Sequence, residues 1–311
     1  MPDTLDPAVA DAIEHIQALG VPEWHALSVE SCRRIEDDVF SEGAGEPPVA
    51  QTRELSIDGP AGDIRLRLYW PDLRDDLPVL VYFHGGGWVV GTLDGVDDIC
   101  RRLAVEGDCL VVSVDYHLAP EYRFPTQVEE AHTVVDWVAA TAGDLMGDPS
   151  RVAVAGTSAG ANLATVAALL ARKRDGPPIQ FQLLLYPITN HDFETDSYTE
   201  NASGYLLSQE SMRWFWGHYL RSEVDGANPF ASPLRADDLS GLPSATVVTA
   251  GFDPLRDEGA AYADRLAADS VSVTHRHYER MCHGFLSWTG EVDVADEAMS
   301  AVTADVHDAL H

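Results

Sequence analysis

Short runs that are apolar on both faces, each followed by a helix-length segment, constrain this chain more than any other feature. Val79–Phe83, Leu110–Val114, Arg151–Ala155, Gln180–Tyr186 and Ala245–Ala250 are such runs. A strand with one wet face alternates apolar and polar residues, whereas a strand apolar on both sides is covered on both sides. The intervening segments suit helices. One begins at Pro125, a residue suited to a first helical position, and puts Val128, Ala131, Val135 and Val138 on one face. Another, Ala159–Ala171, is apolar nearly all round, as a helix packed on a sheet is. The alternation predicts an α/β fold with a parallel or mixed sheet flanked by helices.

Two stretches depart from this rhythm. Residues 1–46 hold eleven acids against Arg33 and Arg34, with helical spacing at Val9, Ile13, Ile16 and Leu19 before a Gly20-Val21-Pro22 break. Residues 190–226 lack a clear strand and carry Phe193, Tyr198, Tyr205, Trp214, Phe215, Trp216 and Tyr219. The expected organisation is a helical cap segment at 1–46, a core at 47–189 and 227–311, and a cap insertion at 190–226. Near the start of the core, Ile64, Leu66 and Leu68 alternate with Arg65 and Arg67 after the Asp58-Gly59-Pro60 turn, a half-exposed strand. A further strand is expected at Val271–Tyr278 and a closing helix from about Val292.

Charge excludes whole classes of partner. Twenty Lys+Arg against 51 Asp+Glu leave a formal charge of −31. Nucleic acid and anionic membranes select the opposite sign, so neither is expected as a partner. No window approaches the ~18 apolar residues of a membrane span, and the N-terminus has no basic and apolar leader pattern. Cys32, Cys100, Cys109 and Cys282 show no framework spacing and fit a reduced, cytoplasmic setting as small buried hydrophobes. The single lysine, Lys173, amid surplus carboxylate has two open explanations: solubility at high salt, or an acidic protein from a GC-rich genome.

The chemistry centres on Gly156-Thr157-Ser158-Ala159-Gly160, a G-x-S-x-G sequence directly after an apolar run and directly before the apolar helix. Such a strand-to-helix turn strains the serine backbone and holds its hydroxyl out at the sheet end, beside a helix N-terminus. Phosphate-cradling turns share the glycines, but this one has no lysine and no GxGxxG. A free serine is a poor nucleophile and needs a base, which an acid must orient. In this turn's fold class those partners follow in the order Ser, Asp/Glu, His, at later strand ends. Asp253, after Ala245–Ala250, is the expected acid and His283, past the last strand, the expected base. Asp257 and Glu258 are rivals for the acid but fall a turn into the next helix, where they are expected to solvate its first turn or support the loop. His275 and His277, two apart on one strand face, lack a third metal ligand nearby. His307 and His311 on the terminal helix receive no role, and Cys282, beside His283, is given none either.

After Val79–Phe83 comes His84-Gly85-Gly86-Gly87-Trp88. Its glycines leave backbone N–H groups unshielded, so Gly86, Gly87 and Ala159 are the expected oxyanion-hole donors. Trp88 is expected to wall the site or hold the loop, and His84 to anchor it. HGGGW, Asp115-Tyr116-His117-Leu118-Ala119-Pro120-Glu121, G-x-S-A-G, Asp253-Pro-Leu-Arg-Asp-Glu-Gly and His283-Gly-Phe together resemble the hormone-sensitive-lipase family (family IV) of bacterial and archaeal esterases, over about residues 47–290. The resemblance implies an α/β-hydrolase fold with a helical cap, and hydrolysis of small-molecule esters of short to medium acyl chains through an acyl-enzyme. It also implies a homodimer through an edge strand, a common arrangement in that family, and no cofactor or metal. Two positions depart from it. Thr157 stands where aspartate is commoner, as in a threonine subgroup, and His117 where arginine is usual. The competing readings are a ligand-binding receptor, against which His283 is present; an amidase, which the same triad serves; and a long-chain lipase, for which residues 1–46 lack a large apolar face.

Overall fold

The structure, a computed structural model, describes residues 4–40 and 47–311, the side chains of 37–40 excepted. Eight strands form one sheet among the described residues: β1 (Gln51–Gly59), β2 (Gly62–Trp70), β3 (Leu77–Phe83), β4 (Leu110–Asp115), β5 (Gly147–Thr157), β6 (Phe181–Leu185), β7 (Ser244–Phe252) and β8 (Val273–Cys282), in the order β1-β2-β4-β3-β5-β6-β7-β8. β1–β2 and β2–β4 are antiparallel; every other pairing is parallel. Alternate residues of β3 enter opposite layers, as a period of two requires. Val79, Val81 and Phe83 join α4 (Thr126–Thr141), α5 (Ala159–Lys173) and α8 (Arg256–Ala268) on one face. Leu80 and Tyr82 join α3 (Asp97–Glu106) and α9 (Asp293–Leu310) on the other. The α/β-hydrolase expectation therefore holds: a mostly parallel sheet covered by helices on both faces.

The apolar runs are central strands with both faces buried, and every residue of Ala159–Ala171 is buried. Two boundaries moved, and one strand had not been expected. The helix expected from Pro125 begins at Thr126, with Pro125 as its cap. The last strand starts at Val273 and runs on to Cys282, because β8 bulges at Glu279–Met281 opposite Gly251 and pairing resumes between Phe252 and Cys282. The edge strand β1 gave only a weak apolar signal, Leu55 and Ile57, since six of its nine residues are exposed.

Strand order reverses between β4 and β5, on either side of β3, and the crevice at such a switch point is where open α/β sheets bind ligands. Above it lie pieces of both departing stretches: α1 (Pro7–Ala18) and α2 (Val29–Phe40) from the first, α6 (Asp196–Glu200) and α7 (Gln209–Tyr219) from the second. No strand occurs at 190–226 among the described residues. Residues 1–3 and 41–46 of the first stretch lie outside the described residues. Arg33 of α2 donates to the carbonyls of Val89 and Ala119 (2.9 Å each) and pairs with both carboxylate oxygens of Glu121 at 2.9 and 2.7 Å. Arg123 donates to the carbonyls of Gly217 and Leu220 at the end of α7. None of the described helices is long and apolar enough to cross a membrane.

Candidate active site

The turn between β5 and α5 carries Ser158 at φ +54° and ψ −115°. A side-chain-bearing residue there costs of order 1–3 kcal/mol, and its surroundings over-determine it. Ser158 N–H donates to Leu185 O at 2.8 Å. A Cβ on Gly156 or Gly160 would come closer than 3.0 Å to backbone, that of Gly160 to the carbonyl oxygens of Phe83 and His84. Strand and helix thus approach to a separation only glycine allows.

Ser158 Oγ lies 3.0 Å from His283 Nε2, and His283 Nδ1 lies 2.7 Å from Asp253 Oδ2. The hydroxyl can donate to Nε2 while Nδ1–H donates to the carboxylate. Asp253 is fully buried, and its other oxygen accepts the N–H of Leu255 at 2.8 Å. Asn201 Nδ2 steadies the backbone here, donating to the carbonyls of Gly251 and Asp253. The structure thus brings the three expected side chains, from three strand ends, into one hydrogen-bonded row. Tyr186, at φ +40° just past β6, sets its ring edge-on to His283 at 4.9 Å.

Gly86, Gly87 and Trp88 all have positive φ (+98°, +57° and +62°). Neither Gly86 nor Gly87 donates its N–H to another backbone carbonyl among the described residues, and Ala159 opens α5, where N–H groups lack helical partners. His84 is fully buried, stacked on Tyr116 at 4.2 Å, with Nδ1 2.8 Å from Gly85 O. Burial pushes its pKa down, so it stays neutral and holds the loop. Trp88 is fully buried and stacks on Tyr219 of α7 at 3.9 Å, beneath the site instead of lining it. Thr157 Oγ1 accepts from Tyr82 at 3.3 Å, and His117 Nδ1 lies 2.5 Å from the buried Glu130, so both departures from the family pattern brace loops.

The rivals lie elsewhere. Asp257 pairs with Arg256 at 2.8 Å and accepts the N–H of Ser197 at 2.7 Å. Of the two roles expected for Glu258, the structure shows support of a loop: it is buried and accepts the N–H groups of Thr189 (2.6 Å) and Asn190 (3.1 Å). Burial raises its pKa well above the ordinary range. His275 and His277 both contact Thr249 Oγ1 at 2.8 Å. The Cys282 thiol is buried, which raises its pKa and leaves it unreactive.

Ser158, His283, Gly86 and Gly87 face a cavity of about 190 Å³. Its outer wall is Trp24, Leu206, Leu207, Met212 and Phe215, none of them singled out beforehand apart from Phe215, and Glu36 adds a carboxylate. The aromatic bias of 190–226 was a usable signal for part of this wall. Tyr186 could have been found from its place at a strand end.

Residues 80–287 match the family model of the α/β hydrolase fold. The chain belongs to that family, in its hormone-sensitive-lipase branch. Esterase LipI of Mycobacterium tuberculosis is 43% identical over 273 residues, covering 85% of this chain and 84% of LipI. Carboxylesterase NlhH of the same organism is also 43% identical, over 265 residues (84% and 83%). The solved ester-hydrolase EH1AB1 from the metagenome of Lake Arreo superposes with a TM-score of 0.94 at 37% identity, over 98% of this chain and 99% of that one. This α/β hydrolase is an enzyme of the ester-hydrolase kind.

Proposed function

We propose that the chain is a serine carboxylesterase acting on esters of short to medium acyl chains through an acyl-enzyme. The observation that carries this is the row Ser158–His283–Asp253, at 3.0 and 2.7 Å, opening into a cavity beside free backbone N–H groups. The names of the relatives support ester chemistry.

In the first half, His283 Nε2 takes the Ser158 proton as Oγ attacks the ester carbonyl, and the imidazolium formed is stabilised by Asp253. Negative charge collects on the carbonyl oxygen, where the N–H groups of Gly86, Gly87 and Ala159 receive it. His283 then protonates the departing alcohol as the C–O bond breaks, leaving Ser158 acylated. Water, deprotonated by His283, repeats the sequence and releases the acid. No step calls for a cofactor or a metal. A cavity of about 190 Å³ is smaller than the ~300–1,000 Å³ of drug-sized sites, which favours short acyl groups. The elements from 1–46 and 190–226 that wall it act as a cap setting acyl length. The exposed edge strand β8 is the proposed surface for a homodimer, and the four unpaired, buried thiols support a reducing, cytoplasmic setting.

The test is a series of p-nitrophenyl esters from acetate to palmitate, wild type beside Ser158→Ala, at low and molar KCl. Rates peaking at short chains and lost in the variant are expected. A variant keeping a tenth of the rate overturns Ser158 as nucleophile, and a maximum at palmitate overturns the acyl-length assignment.

A further inference from the structure

At the end of the sheet remote from Ser158, three metal-ligating side chains converge. His307 and His311 stand one turn apart at the end of α9, their ring centroids 4.5 Å apart and inclined by 23°. Asp108 occupies the turn between α3 and β4 at φ +51°. One ligand atom from each of the three lies within 4.8 Å of the others, and no other such group of three occurs among the described residues. Asp108 Oδ2 is 3.8 Å from His311 Nε2, and the Asp108 carbonyl is 3.2 Å from the same nitrogen.

We propose that Asp108, His307 and His311 form a site for one divalent transition-metal ion, of which zinc is the type, pinning the last turn of α9 to the start of β4. Two imidazoles and a carboxylate are the donor set that borderline ions accept, whereas calcium and magnesium take oxygen alone. Ligands at ~2.1 Å around tetrahedral zinc stand about 3.4 Å apart. The His307 side chain is 46% exposed and that of His311 24%, so small side-chain rotations close the remaining gap, and water fills the fourth position. The C-terminal end of α9 carries the negative pole of its helix, and a chain of net charge −31 concentrates cations at its surface. Arg74 Nη2 already pairs with Asp108 Oδ2 at 2.6 Å. It holds the carboxyl below its ordinary range. Oδ2 is the same oxygen that lies 3.8 Å from His311 Nε2, so the ion would reach Asp108 through Oδ1 after a small rotation of the carboxylate.

The site does no ester chemistry. Asp108 leads into β4, whereas Ser158 follows β5, and both strands run parallel to β3. A bound ion would instead tie together residues 203 positions apart in sequence, stabilising the folded chain by mass action.

The experiment uses the full chain without a histidine tag: calorimetric titration with ZnCl2, and thermal unfolding with ZnCl2, with CaCl2 and after EDTA. One zinc per chain is expected, with a Tm rise that EDTA reverses and calcium does not reproduce. His307→Ala and His311→Ala should each weaken binding by about tenfold or more and abolish the Tm rise, while His275→Ala changes neither. Equal zinc binding by the His307 and His311 variants overturns the site, as does loss of binding in His275→Ala. So does an equal Tm rise with calcium, which would report charge screening alone. The ester-hydrolysis rate of the zinc-loaded chain should match that of the EDTA-treated chain, so this outcome is separate from the catalytic assignment.

Discussion

The turn at Gly156–Gly160 and the covering elements from 1–46 and 190–226 face each other across one cavity and are held in opposite ways. The turn is fixed by backbone against backbone: a single added Cβ at Gly160 meets the Phe83 and His84 carbonyls. The covering elements are fixed mainly by side chains, beside a few backbone bonds such as Asp6 N–H to Arg280 O and Phe124 N–H to Tyr219 O. Only Val9 and Ile13 of α1 and Cys32 among the described side chains of α2 are buried, and Arg33 and Arg123 supply polar ties to the body of the protein. The difference teaches that reaction geometry here depends on atoms every residue has, plus a few glycines, whereas the substrate-facing wall depends on replaceable side chains.

The largest effect expected is that of Ser158→Ala: a fall in kcat/KM of about 10⁴-fold or more with far-UV circular dichroism unchanged. Residual activity near wild type would break the comparison at its root. Gly160→Ala tests the backbone contact and should destabilise by about 4 kcal/mol or more, read as loss of soluble protein or of a cooperative melt; a normal Tm would show that strand and helix can part. Arg33→Ala should be milder, about 1–2 kcal/mol, with altered acyl-length preference and near-normal turnover of the acetate ester. Equal losses on every ester would place Arg33 with the turn and not with the wall.

The smallest effect concerns pH. Because burial raises the Glu258 pKa in the fold, its contribution is fully present below the ordinary glutamate range and is lost as pH rises towards the raised value. Glu258→Gln keeps an acceptor for the N–H groups of Thr189 and Asn190 and cannot ionise. Its Tm should therefore decline less than that of wild type between pH 5 and pH 9, as scanning calorimetry would show; parallel curves would count against a buried, protonated Glu258.

The sequence was most readable where backbone rules dominate. Doubly apolar runs marked the central strands, and glycines flanking Ser158 marked the turn, because neither pattern has many alternative uses. Strand-end logic pointed to Asp253 and His283 even though the last strand was drawn four residues short. Reading failed where a side chain's surroundings come from distant segments. For Glu258 two roles stayed open, solvating the first turn or supporting the loop, because nothing in its own helix reveals the N–H groups of Thr189 and Asn190. Trp24, Leu206, Leu207 and Met212 gave no signal at all, since an apolar residue in a cap wall and one in any other packed helix have the same local pattern.

Phe215 of α7 lies against Gly87, so closely that a Cβ on the glycine would overlap its ring. For anyone diversifying this protein, position 215 is therefore not equivalent to 206, 207 or 212. Libraries at those three positions should sort variants by selectivity with rate preserved. At 215, a gain in selectivity should come coupled to altered turnover, because any change in ring size also moves the glycine loop that lines the cavity beside Ser158.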